Sequence, residues 1–265
     1  MTRPHRKARP APRHRPPLAP YYQLPATNYC RQNRRPAAFP APCPPAMRLT
    51  FPSLREIAAG PEEIVWTDAT ALTVENLRAA YRTGIFPWPS LPGELIPWCS
   101  PDPRAVLVFD ELTPGRTLEK TVRRGGLTFT IDRAFSSVIA ACAAAPRPGQ
   151  DGTWIAPAII AAYTALHHAG VAHSVEVWRD KKLIGGLYGV DAGGVFCGES
   201  MFHHEPNASK LAIIHLTQHL ASRGSSWMDI QQLTPHMQRL GAREVPRERY
   251  LAALERELTT ARALF

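Results

Sequence analysis

Two carboxylates and one carboxamide in the second half of the chain have the residue types needed to activate an amine. Asp229 and Gln231 stand two residues apart in segment 227–231, which reads as a strand, so their side chains are expected on one face. A carboxylate beside an amide, both facing a cleft, can orient and deprotonate an attacking amine. The same spacing is also typical of a polar, solvent-facing strand edge.

The second carboxylate, Glu199, follows Gly198 in the predicted strand 194–201. A lone glutamate in an apolar strand usually faces solvent or forms half of a structural ion pair. No protein nucleophile is evident, because the chain has no GxSxG segment and Cys197 has no recognisable partner. The pattern therefore favours direct attack by a bound amine.

Hydrophobic periodicity and turn residues predict the elements that position these groups. Strands are predicted at residues 105–109, 127–131, 173–179, 183–190, 194–201 and 227–231, and helices at 73–81, 158–168, 251–263 and from Asn207 as N-cap to the stop at Gly224. The stretch 86–104, with six prolines and two tryptophans, reads as an ordered loop. This order predicts an α+β or mixed α/β domain and suits an acetyltransferase-like fold.

Composition narrows the class of protein. Hydrophobic residues make up 45% of the chain, and no apolar run approaches the length of a membrane span. The five cysteines are scattered without zinc spacing, which predicts no metal site, buried thiols and a reduced cytoplasm.

The formal net charge of +9 resides entirely in residues 1–46, which hold eight Arg, one Lys, twelve Pro and no acidic residue. Residues 47–265 carry 22 basic and 22 acidic side chains. Proline at this density predicts a disordered tail. We interpret the tail either as an unstructured extension or as an artefact of an upstream start codon, with translation beginning at Met47. The alternatives are an arm that attracts RNA and a transit peptide. A small domain at 47–104 and a catalytic domain at 105–265 are expected to follow.

A basic cluster follows the first predicted strand of the larger domain. Arg116, Lys120, Arg123 and Arg124 stand at i, i+4, i+7 and i+8, which places them on one face of a helix. The face is either merely solvated or contacts phosphates.

Seven segments in register resemble one known family. They are YRTGIFPW (81–88), WCSPDPRAVL (98–107), GTWI (152–155), HSVEVW (173–178), GESMFHHEPNASK (198–210), MDIQ (228–231) and LGAREVPRERY (240–250). Their order and spacing resemble the leucyl/phenylalanyl-tRNA–protein transferases. The resemblance implies an acetyltransferase-like fold and transfer of Leu or Phe from aminoacyl-tRNA to proteins beginning with Lys or Arg, which marks them for degradation. No strand edge or apolar stripe demands a partner, which predicts a monomer, and no cofactor is expected.

The resemblance also implies roles for individual residues. Asp229 and Gln231 would form the reaction centre, and Glu199 would hold the cationic N-terminal residue of the acceptor protein. Trp88 and Trp154 would shape the cleft and stack on the terminal adenosine of tRNA, although large rings of this kind are most often core. The basic face at Arg116, Lys120, Arg123 and Arg124 would hold the acceptor stem.

Two further groups of residues each have more than one expected role. An apolar pocket for the Leu or Phe side chain has five candidates, which could equally be core: Leu187, Phe196, Ile213, Leu216 and Met228. The NASK element places Asn207, Ser209 and Lys210 at a helix start, where Asn207 is expected to cap the helix and the positive helix end to face RNA or the aminoacyl ester.

Departures from the family pattern keep alternatives open. Residues 62–73 lack the family's glycines, and Trp98-Cys99 replaces its paired tryptophans. The turn 202–207 has no glycine, so it cannot bring several backbone amides near a pyrophosphate, which argues against coenzyme A. The alternatives are an acetyl-CoA-dependent N-acetyltransferase, a non-catalytic RNA-binding protein, and tRNA-dependent leucyl transfer to Asp or Glu N-termini. Glu199 would repel those acidic termini.

Overall fold

The computed structural model describes residues 47–88, 95–114, 118, 125–146 and 153–265. The helices in these ranges are α1 (Leu54–Ala59), α2 (Val74–Arg82), α3 (Phe135–Ala144), α4 (Pro157–His168), α5 (Ala208–Ser222), α6 (Pro235–Gln238) and α7 (Arg247–Thr260). The strands are β1 (Glu63–Thr67), β2 (Phe86–Pro87), β3 (Ile96–Cys99), β4 (Arg104–Val108), β5 (Leu127–Ile131), β6 (Ala172–Arg179), β7 (Lys182–Asp191), β8 (Phe196–His203), β9 (Trp227–Asp229) and β10 (Arg243–Val245).

Seven of these strands form one large sheet in the order β10-β4-β9-β8-β7-β6-β5. Neighbouring strands are antiparallel except β8 and β9, which are parallel and connected through α5. The turn between β6 and β7 places Asp180 and Lys181 at φ 48° and 65°. Positive φ at both central residues is typical of a two-residue hairpin turn, so the predicted turn is confirmed.

Both faces of the large sheet are covered by helices, which gives the mixed α/β architecture that the sequence predicted. On β7, Tyr188 and Val190 join the core cluster that contains α3 and α4, whereas Leu187 joins the cluster that contains α5. A strand buried on both faces needs no polar alternation. This explains the nearly continuous apolar run of β7.

The amino-terminal elements form a three-stranded antiparallel sheet, β1-β3-β2, together with α1 and α2. The loop predicted at 86–104 is therefore wrong in part, because β2 and β3 lie within it. Trp98 of β3 is fully buried, and its Nε1 donates to Oγ1 of Thr67 at 2.8 Å. Backbone pairing and tryptophan burial outweigh the proline content of this stretch.

Local capping agrees with the prediction at α2 and disagrees at α5. The Thr73 side chain accepts a hydrogen bond from the Asn76 backbone N, as expected of an N-cap. Asn207 precedes α5 but has φ 71°, and its side chain makes no capping hydrogen bond. The left-handed backbone turns that side chain away from the first-turn amides, so its predicted capping role is wrong. The Asn207 carbonyl accepts from Leu211 instead.

The two parallel strands β8 and β9 separate soon after they meet. They pair at a single position, Cys197 with Asp229, after which β9 ends while β8 continues. Gln231 has φ 54°, outside the strand region, and its carbonyl accepts from the Ala105 backbone N. The predicted strand 227–231 is therefore too long, and the same-face argument for Asp229 and Gln231 does not hold. The divergence leaves a gap between the strands.

Three remaining expectations concern the chain as a whole. Cys99, Cys142 and Cys197 are buried free thiols, as expected. No helix within the described ranges is long and apolar enough to cross a membrane. The tail 1–46 lies outside the described residues.

Candidate active site

A cavity of about 130 Å³ lies in the gap between β8 and β9. Six of its side chains are apolar, namely Leu187, Met201, Ile213, Met228, Ile230 and Met237. Tyr188 also lines it, and its other polar side chains are Glu199, Ser200, Gln231, Gln232 and Thr234. An apolar cavity of about 150 Å³ can hold a benzene ring. This cavity therefore matches the size of a Leu or Phe side chain.

The Glu199 carboxylate is the centre of a hydrogen-bond network at this cavity. Its Oε1 accepts from the Tyr81 hydroxyl at 2.7 Å and from Nε2 of Gln231 at 2.8 Å. The Tyr163 hydroxyl lies 3.4 Å from Oε2 and 2.5 Å from the Tyr81 hydroxyl. Helices α2 and α4 and the segment after β9 thus converge on one carboxylate.

Burial raises the pKa of Glu199 to about 7, and the negative charge of Asp229 acts in the same direction. The hydrogen bonds from Tyr81 and Tyr163 and the charge of Arg104 oppose this rise. Burial and the Glu199 charge raise the pKa of Tyr81 and Tyr163, so both phenols stay protonated donors. A carboxyl whose pKa lies near neutrality is suited to exchanging a proton with an amine.

Asp229 lies behind the cavity and is not one of the described residues that line it. Its side chain is 0% exposed, so the prediction of a cleft-facing carboxylate and the alternative of a solvent-facing strand edge are both wrong. Oδ1 accepts from Nε of Arg104 at 2.9 Å and from the Gln231 backbone N at 2.9 Å. Oδ2 accepts from Nη2 of Arg104 at 2.7 Å and from the Tyr250 hydroxyl at 3.1 Å.

Arg104 completes this buried ion pair. Its side chain is 1% exposed and lies over the rings of Phe86 and Tyr250, at 4.9 Å and 4.5 Å from their centroids. Burial acts to lower the pKa of Arg104, but the Asp229 carboxylate raises it overall. The guanidinium therefore stays charged.

Two models of one protein family match the chain. The model of the leucyl/phenylalanyl-tRNA protein transferase family matches residues 106–255, and the model of its N-terminal domain matches residues 70–102. The chain belongs to this family. The matched ranges contain Tyr81, Tyr163, Glu199, Asp229 and Gln231, and Arg104 lies between them.

Curated relatives with the name leucyl/phenylalanyl-tRNA–protein transferase support this membership. The protein from Chromohalobacter salexigens is 49% identical over 80% of this chain and 81% of its own length. The one from Nitratidesulfovibrio vulgaris is 52% identical over 77% and 86%, and the one from Pectobacterium carotovorum is 52% identical over 69% and 76%. A solved ribosomal-protein-alanine N-acetyltransferase from Brucella melitensis matches 38% of this chain and 77% of its own at 17% identity and a TM-score of 0.26.

The predicted pocket residues divide into two groups in this family member. Leu187, Ile213 and Met228 line the cavity. Phe196 and Leu216 are 0% exposed in the core cluster behind it and are not among the lining residues described. The alternative of plain core therefore applies to these two.

The two tryptophans and the NASK element are not among the described residues that line the cavity. Trp88 and Trp154 are half-buried against the core cluster of α3 and α4. Ser209 is 3% exposed, and Lys210 is half-buried in the first turn of α5. The predicted basic face of Arg116, Lys120, Arg123 and Arg124 lies outside the described residues.

Sequence reasoning assigned no role to four residues of the network: Tyr81, Tyr163, Arg104 and Tyr250. Three of them stand inside the motifs that carry the family resemblance. A buried hydroxyl or guanidinium needs a partner, which is a signal once burial is known. Burial could not be read from the motifs alone, and Tyr163 carries no local signal.

Cys197 is excluded as a nucleophile by its surroundings. It is 0% exposed, and burial together with the charge of Asp229 raises the pKa of its thiol. A buried protonated thiol is inert. The site can therefore bind an apolar side chain and hold an amine at a carboxylate, without a covalent enzyme intermediate.

Proposed function

We propose that this chain transfers Leu or Phe from an aminoacyl-tRNA to the N-terminal amine of acceptor proteins that begin with Lys or Arg. The single observation that carries the proposal is the apolar cavity of about 130 Å³ with the Glu199 carboxylate on its lining. The cavity takes the Leu or Phe side chain and selects it by shape. The carboxylate lies where the attacking amine must approach.

The chemistry needs few protein groups, because an aminoacyl ester is already activated. The α-ammonium of the acceptor, with an ordinary pKa of about 7.7 to 8.0, gives a proton to Glu199 and attacks the ester carbonyl carbon. The new C–N bond forms, and the C–O bond to the ribose breaks. The second amine proton passes to the departing ribose oxygen, and Glu199 returns its proton to solvent.

Charge at Glu199 also favours acceptors with a cationic first residue. The ionised carboxylate attracts Lys or Arg and repels Asp or Glu. Gln231 orients the amine through its carboxamide, and Asp229 acts by holding Gln231 rather than by touching substrate. The fully buried position of Asp229 supports this division of roles.

The tRNA is held by residues that the sequence pattern points to. Trp88 and Trp154 stack on the terminal adenosine, Asn207 and Lys210 face the backbone, and the basic face contacts the acceptor stem. Ser209 is too buried to reach the RNA. Changing Arg116, Lys120 and Arg123 together to Ala is expected to weaken tRNA affinity. The slope of log affinity against log salt should flatten by about 0.7 to 0.9 for each phosphate that the variant no longer binds, while kcat at saturating tRNA survives. Filter binding at four salt concentrations measures the slope, and an unchanged slope would show that the face is merely solvated.

A substitution in the cavity should change the choice between Leu and Phe. Ile213→Phe fills space beside Met228 and is expected to lower kcat/KM for Phe-tRNA relative to Leu-tRNA about tenfold. Leu216→Phe is the matched control, because Leu216 lies on the same helix in the core. It should lower stability without changing the ratio. Equal ratios in both variants would show that the cavity does not hold the side chain.

The remaining expectations complete the proposal. The diverging parallel strands β8 and β9 support an acetyltransferase-like fold whose usual cofactor is replaced by aminoacyl-tRNA. The three buried free thiols fit a cytoplasmic protein. The enzyme acts as a monomer, and the transferred residue marks the acceptor for degradation.

One assay tests the proposal directly. Labelled Leu-tRNA is incubated with the protein and with model peptides that begin with Arg, Lys, Glu or Met. Transfer to the Arg and Lys peptides is expected, and none to the Glu peptide. Transfer to Glu alone, or acetylation when acetyl-CoA replaces the tRNA, would contradict the assigned substrates.

A further inference from the structure

Arg104 is a buried cation whose guanidinium is engaged on three sides. Nε and Nη2 both donate to the Asp229 carboxylate, at 2.9 Å and 2.7 Å, in a bidentate fork. Nη1 donates to the Gly84 carbonyl at 3.1 Å. The rings of Phe86 and Tyr250 lie near the guanidinium carbon. Arg104 is not one of the described residues that line the cavity, so any effect of Arg104 on transfer must act through its partners.

The first connection from Arg104 to the site runs through Asp229. One oxygen, Oδ1, accepts both from Arg104 and from the Gln231 backbone N. Gln231 has φ 54°, which is uncommon for a residue other than glycine and is held by such surrounding contacts. This backbone conformation aims Nε2 of Gln231 at Oε1 of Glu199, 2.8 Å away.

The second connection runs through the end of α2. The Gly84 carbonyl that Arg104 holds stands three residues after Tyr81, whose hydroxyl donates to the same Oε1 of Glu199 at 2.7 Å. A side chain at Gly84 would lie 2.6 Å from Leu251 and 3.0 Å from the Tyr250 ring. The segment after α2 is therefore closely packed, and its hydrogen bond to Arg104 fixes it relative to β4.

We propose that Arg104 is a positioning residue for transfer: its single guanidinium sets at once the two donors that share Oε1 of Glu199, namely Gln231 and Tyr81. This inference rests on the proposed transfer at the Glu199 cavity. A lysine at this position keeps the charge but cannot bond Asp229 in a fork and Gly84 together, because its ammonium is a compact point charge. The geometry of the fork is therefore needed, not the charge alone.

The test is a double-mutant cycle on kcat for Leu transfer from Leu-tRNA to a peptide that begins with Lys. The four proteins are the wild type, Arg104→Lys, Gln231→Ala and the double variant. Arg243→Lys is the matched control, because Arg243 pairs with Glu111 at the surface of β10, beside β4. Thermal unfolding of each variant separates loss of stability from loss of transfer.

We expect Arg104→Lys to lower kcat about 100-fold while KM for Leu-tRNA changes less than about threefold. In the Gln231→Ala background the same substitution should cost less than about tenfold, because one of its two connections is already absent. Losses that multiply independently, or a lowered unfolding temperature with kcat unchanged, would overturn the proposal. Arg243→Lys should leave kcat within about twofold.

A milder variant keeps the test decisive if Arg104→Lys does not fold. Tyr250→Phe keeps the ring beside Arg104 but removes the hydroxyl that donates to Oδ2 of Asp229 at 3.1 Å. It is expected to lower kcat about tenfold, again with a smaller loss in the Gln231→Ala background. An unchanged kcat in Tyr250→Phe overturns the proposal. A wild type that transfers no Leu overturns the proposed function itself, which is a distinct result.

Discussion

Glu199→Gln is expected to lower kcat/KM for Leu transfer by about 10²- to 10⁴-fold, the range for loss of a general base. The substitution keeps the shape and one acceptor oxygen for Tyr81, so the cavity should persist. It removes the group that takes a proton from the acceptor amine. Glu111→Gln, at an exposed ion pair, is the control and should keep wild-type activity. If Glu199→Gln transfers Leu at the wild-type rate, Glu199 is not the base.

The pH dependence should identify the same group. Glu199 has a pKa of about 7 and must be ionised to accept a proton, so wild-type activity should rise with pH through about 7. The titratable groups bonded to this carboxylate are Tyr81 and Tyr163, and the charges of Asp229 and Arg104 act on its pKa from behind the cavity. The tyrosines stay protonated over this range, because burial raises their pKa. The residual rate of Glu199→Gln, measured at saturating acceptor, should lack the rise near 7 and follow only the deprotonation of the acceptor amine, whose ordinary pKa is about 7.7 to 8.0.

Stability should change in the opposite sense to activity. The folded-state pKa of Glu199 is raised above its usual value, so its contribution to stability is fully present at low pH and is lost as pH rises through about 7. Glutamine carries no charge at any pH. Glu199→Gln should therefore unfold at the same or a higher temperature than the wild type at pH 8. A stabilised but inactive variant would show that the carboxylate at position 199 is retained for chemistry.

Local signals explain which parts of the fold could be predicted from sequence. The strand 127–131, the helix that begins after Thr73 and the turn at Asp180 and Lys181 depend on periodicity and turn chemistry within a few residues. Helices α1, α3 and α6 and strands β1, β2, β3 and β10 were not predicted. Strand β3 contains Pro97 and is recognisable only through its pairing with β1 and β2.

The candidate site shows the same limit. Glu199, Gln231 and three of the five pocket residues were found from residue type and family pattern, and they meet at one cavity. The partners that determine their chemistry are distant in sequence: Tyr81 lies 118 residues from Glu199, and Arg104 lies 125 residues from Asp229. No periodicity connects such positions. Asp229 is buried because of contacts with residues distant in sequence such as Arg104, so the spacing of Asp229 and Gln231 could not predict its burial.

Asp229→Asn is expected to destabilise the protein by about 3 to 5 kcal/mol, because it leaves the Arg104 guanidinium buried without its counter-charge. Equal side-chain volume does not protect the fold here. The carboxylate accepts hydrogen bonds at both of its oxygens, from Arg104, Tyr250 and the Gln231 backbone N. The asparagine side chain has only one acceptor oxygen, so it cannot accept all of these bonds. Chemical denaturation measures the loss, and an unchanged free energy of unfolding would show that the ion pair contributes little.

A double substitution separates this structural role from the role in transfer. Replacing both partners by apolar side chains, as in Arg104→Met with Asp229→Leu, should restore most of the stability lost in Asp229→Asn, because no buried charge is left unpaired. Transfer should nevertheless stay at least about 10²-fold below wild type. The Gln231 backbone N loses its acceptor at position 229, so the Gln231 side chain is no longer held in place to donate to Glu199. If the stable double variant transfers Leu at the wild-type rate, the ion pair serves the fold alone. If it is stable and inactive, the carboxylate at 229 is required because of how it holds the neighbouring amide.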